Sequence, residues 1–269
     1  MVSLGTNIPY RDFILDVALA RIPGYAEDFM VGDAPPIQIS DGRVTIWDLA
    51  DLGESGGGVV TPLTSDTEIF ASSTSASDTV AIVVVQGLDV NSDRQATLTV
   101  LTGQSQVSVG NFTHVQSGTI IVTDALGDVF IAEADTVTAG VPDTPSKIKS
   151  KIPLGTNITH NGFYKVPNGC GAISMALRAT TDGDKDSKIE TFITLDGQPT
   201  IMSVTYDVQG SINWAFPAPV ATINVLGVVL PPKTFLEMRE SVSTNSTRTF
   251  FGTDFFIVDI NQYNLALLP

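Results

Sequence analysis

Ile201-Met202-Ser203-Val204-Thr205-Tyr206-Asp207-Val208 places Met202, Val204, Tyr206 and Val208 on one side of an extended chain and mostly polar side chains on the other. Ser211-Ile212-Asn213-Trp214-Ala215-Phe216 repeats the pattern. Strict alternation is the mark of a β-strand with one dry face and one wet face. Beside these strands, groups suited to catalysis are scarce. The 269 residues include two histidines and one cysteine. The pattern points to a binding or building part rather than an enzyme.

Working outward, the same rhythm covers most of the chain. From Thr67 onward short strands are predicted at Glu68 to Ala71, Gln95 to Leu101, Gln106 to Val109, Phe112 to Val115, Thr119 to Thr123 and Asp128 to Ala132. Thr79-Val-Ala-Ile-Val-Val-Val85 is apolar on both faces, which suits a strand covered on both sides. Gly140 to Lys151 interrupts the rhythm with two prolines and a tight cluster of lysines, and reads as an interdomain linker, the alternative being a loop or edge strand in one continuous architecture. Beyond it Ile173, Met175, Leu177 and Ala179 are expected to share a face. Further strands are predicted at Glu190 to Leu195, Thr222 to Val229, Thr234 to Val242 and Phe250 to Ile260. The expected fold is all-β: two tandem antiparallel β-sandwich (jelly-roll-like) domains with a short N-terminal helix. The expected divisions are an N-terminal helix and extended arm over 1–62, a first sandwich over 63–145 and a second over 152–269.

Helical periodicity is confined to the start. Phe13, Val17 and Ala20 recur at helical spacing between Arg11 and Arg21, with Ile14 beside them, and Pro23-Gly24 ends the pattern. This apolar surface could lie on its own domain or on a neighbouring subunit; because it precedes the β region, Phe13, Ile14 and Val17, with Tyr25 next, are the candidate assembly-interface residues.

Composition limits the partners. Lys and Arg total 14 against 29 Asp and Glu, a net charge of -15. That surface repels phosphates, so no direct nucleic acid partner is expected. The apolar stretches are too short to span a bilayer and the opening residues lack a signal-peptide pattern, so no membrane association is expected. Cys170 lies in a small-residue turn, Asn168-Gly-Cys-Gly171, and reads as packing rather than as a nucleophile. Neither His114 nor His160 has a second His or a Cys at zinc-ligand spacing, and no Gly-x-Ser-x-Gly elbow occurs. Asp182-Gly-Asp-Lys-Asp186 begins like a calcium loop, but Ser187 and Ile193 stand where that loop needs Gly and Glu. Trp47 and Trp214 could line a sugar site, although Trp214 falls on the apolar face of its strand. No catalytic residue, cofactor or metal is expected.

Four blocks carry a resemblance to a known class. They are Tyr10-Arg-Asp-Phe-Ile-Leu with Ile22-Pro-Gly-Tyr25; Ile46-Trp-Asp48; Ser72 to Thr79 through Val85-Gln-Gly-Leu-Asp89 to Val100; and Tyr164-Lys-Val-Pro167 with Cys170-Gly and Phe216-Pro-Ala-Pro219. Together they resemble virion structural proteins of tailed bacteriophages, of the type common in phages of aquatic bacteria. The resemblance implies an all-β, non-enzymatic head decoration, cement or collar protein acting through subunit contacts. Its partners would be other virion proteins of the capsid or of the neck and tail. It would form a homo-oligomer, with a trimer the leading expectation. Its location would be the virion, after synthesis in the host bacterial cytoplasm. The alternative is a receptor- or glycan-binding module of a tail fibre or spike.

Overall fold

A computed structural model describes residues 25–182, 185–209, 221–223 and 229–260. Strands dominate, as the alternation requires. They are β1 (Tyr25–Ile37), β2 (Val44–Thr45), β3 (Thr67–Ser73), β4 (Ile82–Leu88), β5 (Arg94–Val100), β6 (Val107–Phe112) and β7 (His114–Ile121). There follow β8 (Val129–Glu133), β9 (Val137–Thr138), β10 (Val141–Pro142), β11 (Ile148–Ile152), β12 (Phe163–Lys165) and β13 (Cys170–Thr181). The last are β14 (Asp186–Thr194), β15 (Ile201–Gln209), β16 (Ala221–Ile223), β17 (Val229–Leu230), β18 (Phe235–Val242) and β19 (Thr247–Asp259). The predicted helix, with Phe13, Ile14 and Val17, lies outside the described residues, as does the strand around Trp214. Among the described residues, helix is limited to single turns such as Ile39–Asp41 and Gly53–Gly56.

Two large sheets enclose the main core. One runs β1-β19-β13-β16, with β17 also on β13; the other runs β12-β18-β14-β15, with β2 also on β18. Along β19 the alternation sends Phe251, Phe255 and Ile257 inward, where they share a core with Leu236, Met238 and Val242 of β18 and Ile189 of β14. Residues 25–62 do not behave as the expected arm. β1 pairs antiparallel with β19 along its length, and β2 joins β18. Ile46 continues that union: its N–H donates to Met238 O at 2.9 Å and its carbonyl accepts from Gly162 at 2.8 Å. Gly32 and Gly162 permit the approach, because a Cβ on either would stand 2.3 Å from Ile46 O. The segment carries Met30, Ala34, Ile37, Val44 and Trp47 into the core. Its burial, not chain position, assigns it to the large sheets.

A bulge corrects the reading of β13. Ala172 and Ala179 both enter the main core, although seven positions apart, because the register shifts between Ser174 and Ala176. Ile173 and Ala179 therefore lie on opposite faces, not on one.

The second core lies between a four-stranded sheet, β11-β8-β3-β6, and a three-stranded sheet, β5-β4-β7. Ile69, Val83, Val85, Leu101, Phe112, Val115, Val129 and Ile131 fill it. The sheets come close enough that a Cβ on Gly118 would meet Ile131 Cδ1 at 2.4 Å. β8 is buried on both faces. Val129 and Ile131 point into this core, while Phe130 and Ala132 point into the main one.

The expected linker over 140–151 is part of this wall. β11 pairs antiparallel with β8, giving Ile148 to the main core and Ile152 to the second. Its lysines resemble a solvated linker only in sequence, because in the fold each meets an acid. Lys147 pairs with Asp135 at 3.0 Å, Lys149 with Glu133 at 2.7 Å and Lys151 with Asp128 at 3.0 Å. The result is several small antiparallel sheets around two cores that share a wall.

That wall makes the cores interdependent. Ile131→Ala and Phe130→Ala should each destabilise the protein by about 2–5 kcal/mol. Trp47 lies in the main core. Urea unfolding followed by tryptophan fluorescence should nonetheless shift for Ile131→Ala, whose side chain serves the other core. A fluorescence transition unmoved by Ile131→Ala would show that the cores unfold independently.

Candidate interaction surface

β1 and the outer side of the β5-β4-β7 sheet form the walls of a cleft of about 520 Å³. Its bottom is closed by Asn161, Phe163 and Tyr164 around β12. One polar knot joins the two walls. Arg94 donates to Asp28 at 2.8 Å and to the Tyr164 hydroxyl at 3.2 Å, and that hydroxyl donates to Asp28 at 2.9 Å. Tyr164 stacks on Phe255 with ring centroids 5.0 Å apart. Burial, reinforced by the Asp28 charge, pushes its phenol pKa up, so it acts as a neutral hydrogen-bonding strut. Phe29 is 66% exposed, and Gln86, Gln95, Gln116 and Ser117 also line the cleft.

The outer face of this sheet, part of which lines the cleft, is laid out in registered rows. Val100, Ile82 and Ile121 lie side by side; next come Leu98, Val84 and Thr119; then Ala96, Gln86 and Ser117. The alternate residues Ala81, Val83 and Val85 face inward and are buried. The two-sided apolar pattern of Thr79–Val85 predicts cover on both sides, and the fold supplies it on one. Ile82 and Val84 are half-buried, while Leu98 beside them is 63% exposed and Val100 49%.

Both histidines and the buried acids Glu190 and Glu237 are committed elsewhere. His114 is buried against the edges of Phe163 and Phe235, with centroids 5.9 and 5.6 Å away. Burial, with Lys165 nearby, lowers its pKa to about 3, so its ring is neutral. His160 Nδ1 lies 3.2 Å from Asp48, whose other oxygen accepts the His160 backbone N–H at 2.9 Å. The Asp48 hydrogen bond raises the imidazole pKa, while burial raises that of Asp48. On the outer face of the second large sheet, buried Glu237 receives a bidentate Arg239, both contacts 2.9 Å. Buried Glu190 meets Arg43 at 2.5 Å and Lys188 at 3.3 Å. Arg239 also lies over the Phe192 ring, 4.5 Å from its centroid.

The sequence-derived candidates fare differently. Tyr25 opens β1, opposite Val258. Trp47 is a core residue whose indole donates to Gly58 O at 3.0 Å, not part of a sugar platform. Cys170 is half-buried, and burial raises its thiol pKa, away from a thiolate. Asp182 accepts the Arg248 N–H at 2.8 Å and pairs with Lys185 at 3.3 Å. Among the described residues no group of three or more His, Cys, Asp or Glu could hold a metal ion. No helix among them is long and apolar enough to cross a membrane. Phe29 and the rows on the three-stranded sheet are absent from the sequence-derived candidates. Their one signal is the two-faced apolar pattern of Thr79–Val85.

No family model matches the chain, and no curated protein does. Among solved structures, the VP2 subviral particle of infectious bursal disease virus aligns at 11% identity, covering 96% of this chain and 80% of that one, with a TM-score of 0.23. The infectious bursal disease virus Gt strain structure aligns at 9% identity over 93% and 79%, with a TM-score of 0.24. A putative secreted protein from Parabacteroides distasonis aligns at 10% identity over 90% and 94%, with a TM-score of 0.21. Likenesses this distant carry no argument about fold or function.

Glu240 supplies a pH test. It is fully buried on the core side of β18, accepts from Ser187 Oγ at 3.1 Å and lies beside the Thr249 hydroxyl. Burial raises its pKa from an ordinary 4.5 to about 7. Between those values the folded chain keeps a proton that the unfolded chain releases. Its stabilising contribution is therefore complete below the unfolded value and is lost as pH rises towards 7. At about 1.4 kcal/mol per pH unit, the loss is about 3 kcal/mol. Glu240→Gln should match the parent at pH 4.5 and exceed its stability by that order at pH 8, measured by urea unfolding. Equal stabilities at pH 8 would count against a buried, neutral Glu240.

Proposed function

We propose that this chain is a non-enzymatic structural component of a bacteriophage virion, a head decoration, cement or collar protein that works through subunit contacts. One observation carries the reading. Among the described residues the histidines and buried acids are held in structural roles, while the three-stranded sheet presents an uncharged, largely apolar face. His114 is locked between aromatic rings, and Glu190 and Glu237 are neutralised by basic partners. The sequence resemblance to tailed-phage virion proteins supplies the setting. The two cores sharing a wall suit a stiff building part, and a tandem jelly-roll-like pair is the finer description we favour. Other virion proteins and further copies of the chain, as a trimer, are the proposed partners. The acidic surface argues against direct nucleic acid contact.

In this reading Phe13, Ile14, Val17 and Tyr25 form the docking element. Labelled antibody against the chain should decorate purified particles in electron micrographs. Phe13→Asp combined with Val17→Asp should leave a folded protein that no longer joins them. Absence from purified particles would sink the virion reading; undiminished incorporation of the double variant would sink the docking element alone.

A second reading, a receptor- or glycan-binding module of a tail fibre or spike, has the cleft in its favour. Exposed Phe29 offers a face for sugar stacking, with the amides of Gln86, Gln95 and Gln116 around it. Reproducible signals on a glycan array, abolished by Phe29→Ala, are expected from this reading. An array blank for the parent protein rejects it.

A further inference from the structure

We propose that a pocket between β12 and the turn joining β14 to β15 binds a phosphate group through Lys165 and Lys233. One exception in the charge pattern carries the inference. Among the described residues, every lysine and arginine but Lys165 faces a carboxylate partner. Acids outnumber bases 29 to 14, so a cation left without an acid is conspicuous. Lys165 is also half-buried, where an ammonium gives up hydration and receives no counter-ion in return. Burial lowers its pKa, and neighbouring Lys233 adds to this against the opposing pull of Asp196. An anion in the pocket would supply the missing partner.

The backbone brings the donors together around a hollow of about 300 Å³. Lys165, Phe235 and Thr194 stand side by side across β12, β18 and β14, on the outer face of the sheet. Lys233 closes the turn Pro231-Pro232-Lys233. Its N–H donates to Val166 O at 2.9 Å, and the Val166 N–H donates to Thr234 O at 2.9 Å, which ties the turn to the strand end that carries Lys165. Lys233 has a φ of 62°, in the left-handed region that favours glycine. Keeping a lysine there costs backbone strain, which points to a use for its side chain. Thr194 and Thr200 also line the hollow. Their mutual 2.6 Å hydrogen bond uses one hydroxyl proton and leaves the other to donate.

The donor set selects the ligand. Arg239 and Glu237 line the same hollow but close on each other through two 2.9 Å contacts. Asp196, the remaining acid, lies 3.8 Å from Lys233 with its side chain 67% exposed, so the two lysines outweigh it. A carboxylate is best met by the planar fork of an arginine, and the one arginine here is engaged. Separate ammonium and hydroxyl donors suit a tetrahedral anion, whose several oxygens accept from different directions. At physiological salt, charges beyond about 8 Å are screened, so the nearby lysines rather than the net charge of -15 set the field at the ion. A nucleic acid would extend past the pocket onto the acidic surface and be repelled there.

Isothermal calorimetry of the full chain with inorganic phosphate, at constant ionic strength and about pH 8, tests this. The parent should give a saturable, one-site heat. Lys165→Met keeps the stem and removes the charge, and Lys233→Gly removes the charge at a φ that glycine adopts freely. Each should weaken binding by about tenfold or more, the loss of one charged hydrogen bond. Neither should lower stability in urea, because one loses an unpaired half-buried charge and the other a strained backbone. Circular dichroism checks the folds, and Lys165→Gln is the second variant if Lys165→Met unfolds. Glycerol phosphate binding more tightly than the free ion assigns the pocket to a phosphomonoester, and the reverse assigns it to the ion; both support the site. No saturable heat from the parent overturns the proposal, as does binding untouched by both substitutions. Acetate binding as tightly as phosphate overturns it in favour of a carboxylate. The proposal stands apart from the virion reading, and particle labelling neither supports nor refutes it.

Discussion

β8 holds this molecule together because a strand has two faces. Val129 and Ile131 enter one core, Phe130 and Ala132 the other, and the same strand bonds laterally to β3 and β11. Neither core can be closed without this strand. The three-stranded sheet faces it across one core, and its other side gives Phe130 and Ala132 to the core of the large sheets. A wall apolar on both sides has no preferred exposed state, so the free energy of both cores draws on one element.

Electrostatics follows from that packing. A chain with 29 acids and 14 bases must place acids where they do least harm. Many of the bases sit beside buried or half-buried carboxylates: Lys149 at Glu133, Arg43 at Glu190, Arg239 at Glu237, Arg94 at Asp28. Removing one such base would leave a buried charge without compensation, which costs more than the pair contributes. Glu240 differs from these: its neighbours are the hydroxyls of Ser187 and Thr249, and burial raises its pKa to about 7. The uncharged rows on the three-stranded sheet stand out against this background.

The all-β class was legible because alternation is local: Ile201 to Val208 reads as a strand in isolation and forms one. The grouping of strands was not. Lys147, Lys149 and Lys151 look like a solvated linker until Asp135, Glu133 and Asp128 are seen opposite them. The shift of face inside β13 leaves no mark in residue type, since Ser174 and Ala176 suit either side of a bulge. Phe29 could not be picked out, because it stands in the expected extended arm beside Met30 and Val31, where no alternation separates an exposed side from a buried one.

By itself, then, the order of residues determined strand character and the acidic charge balance, since each depends on neighbours in sequence or on composition alone. Only tertiary structure decided that β1 belongs with β19, that β8 serves two cores, and that the apolar rows of β4 and β5 lie open beside a cleft. Those outcomes depend on which faces meet. A period-two pattern says that a strand has two sides; it does not say what covers each of them.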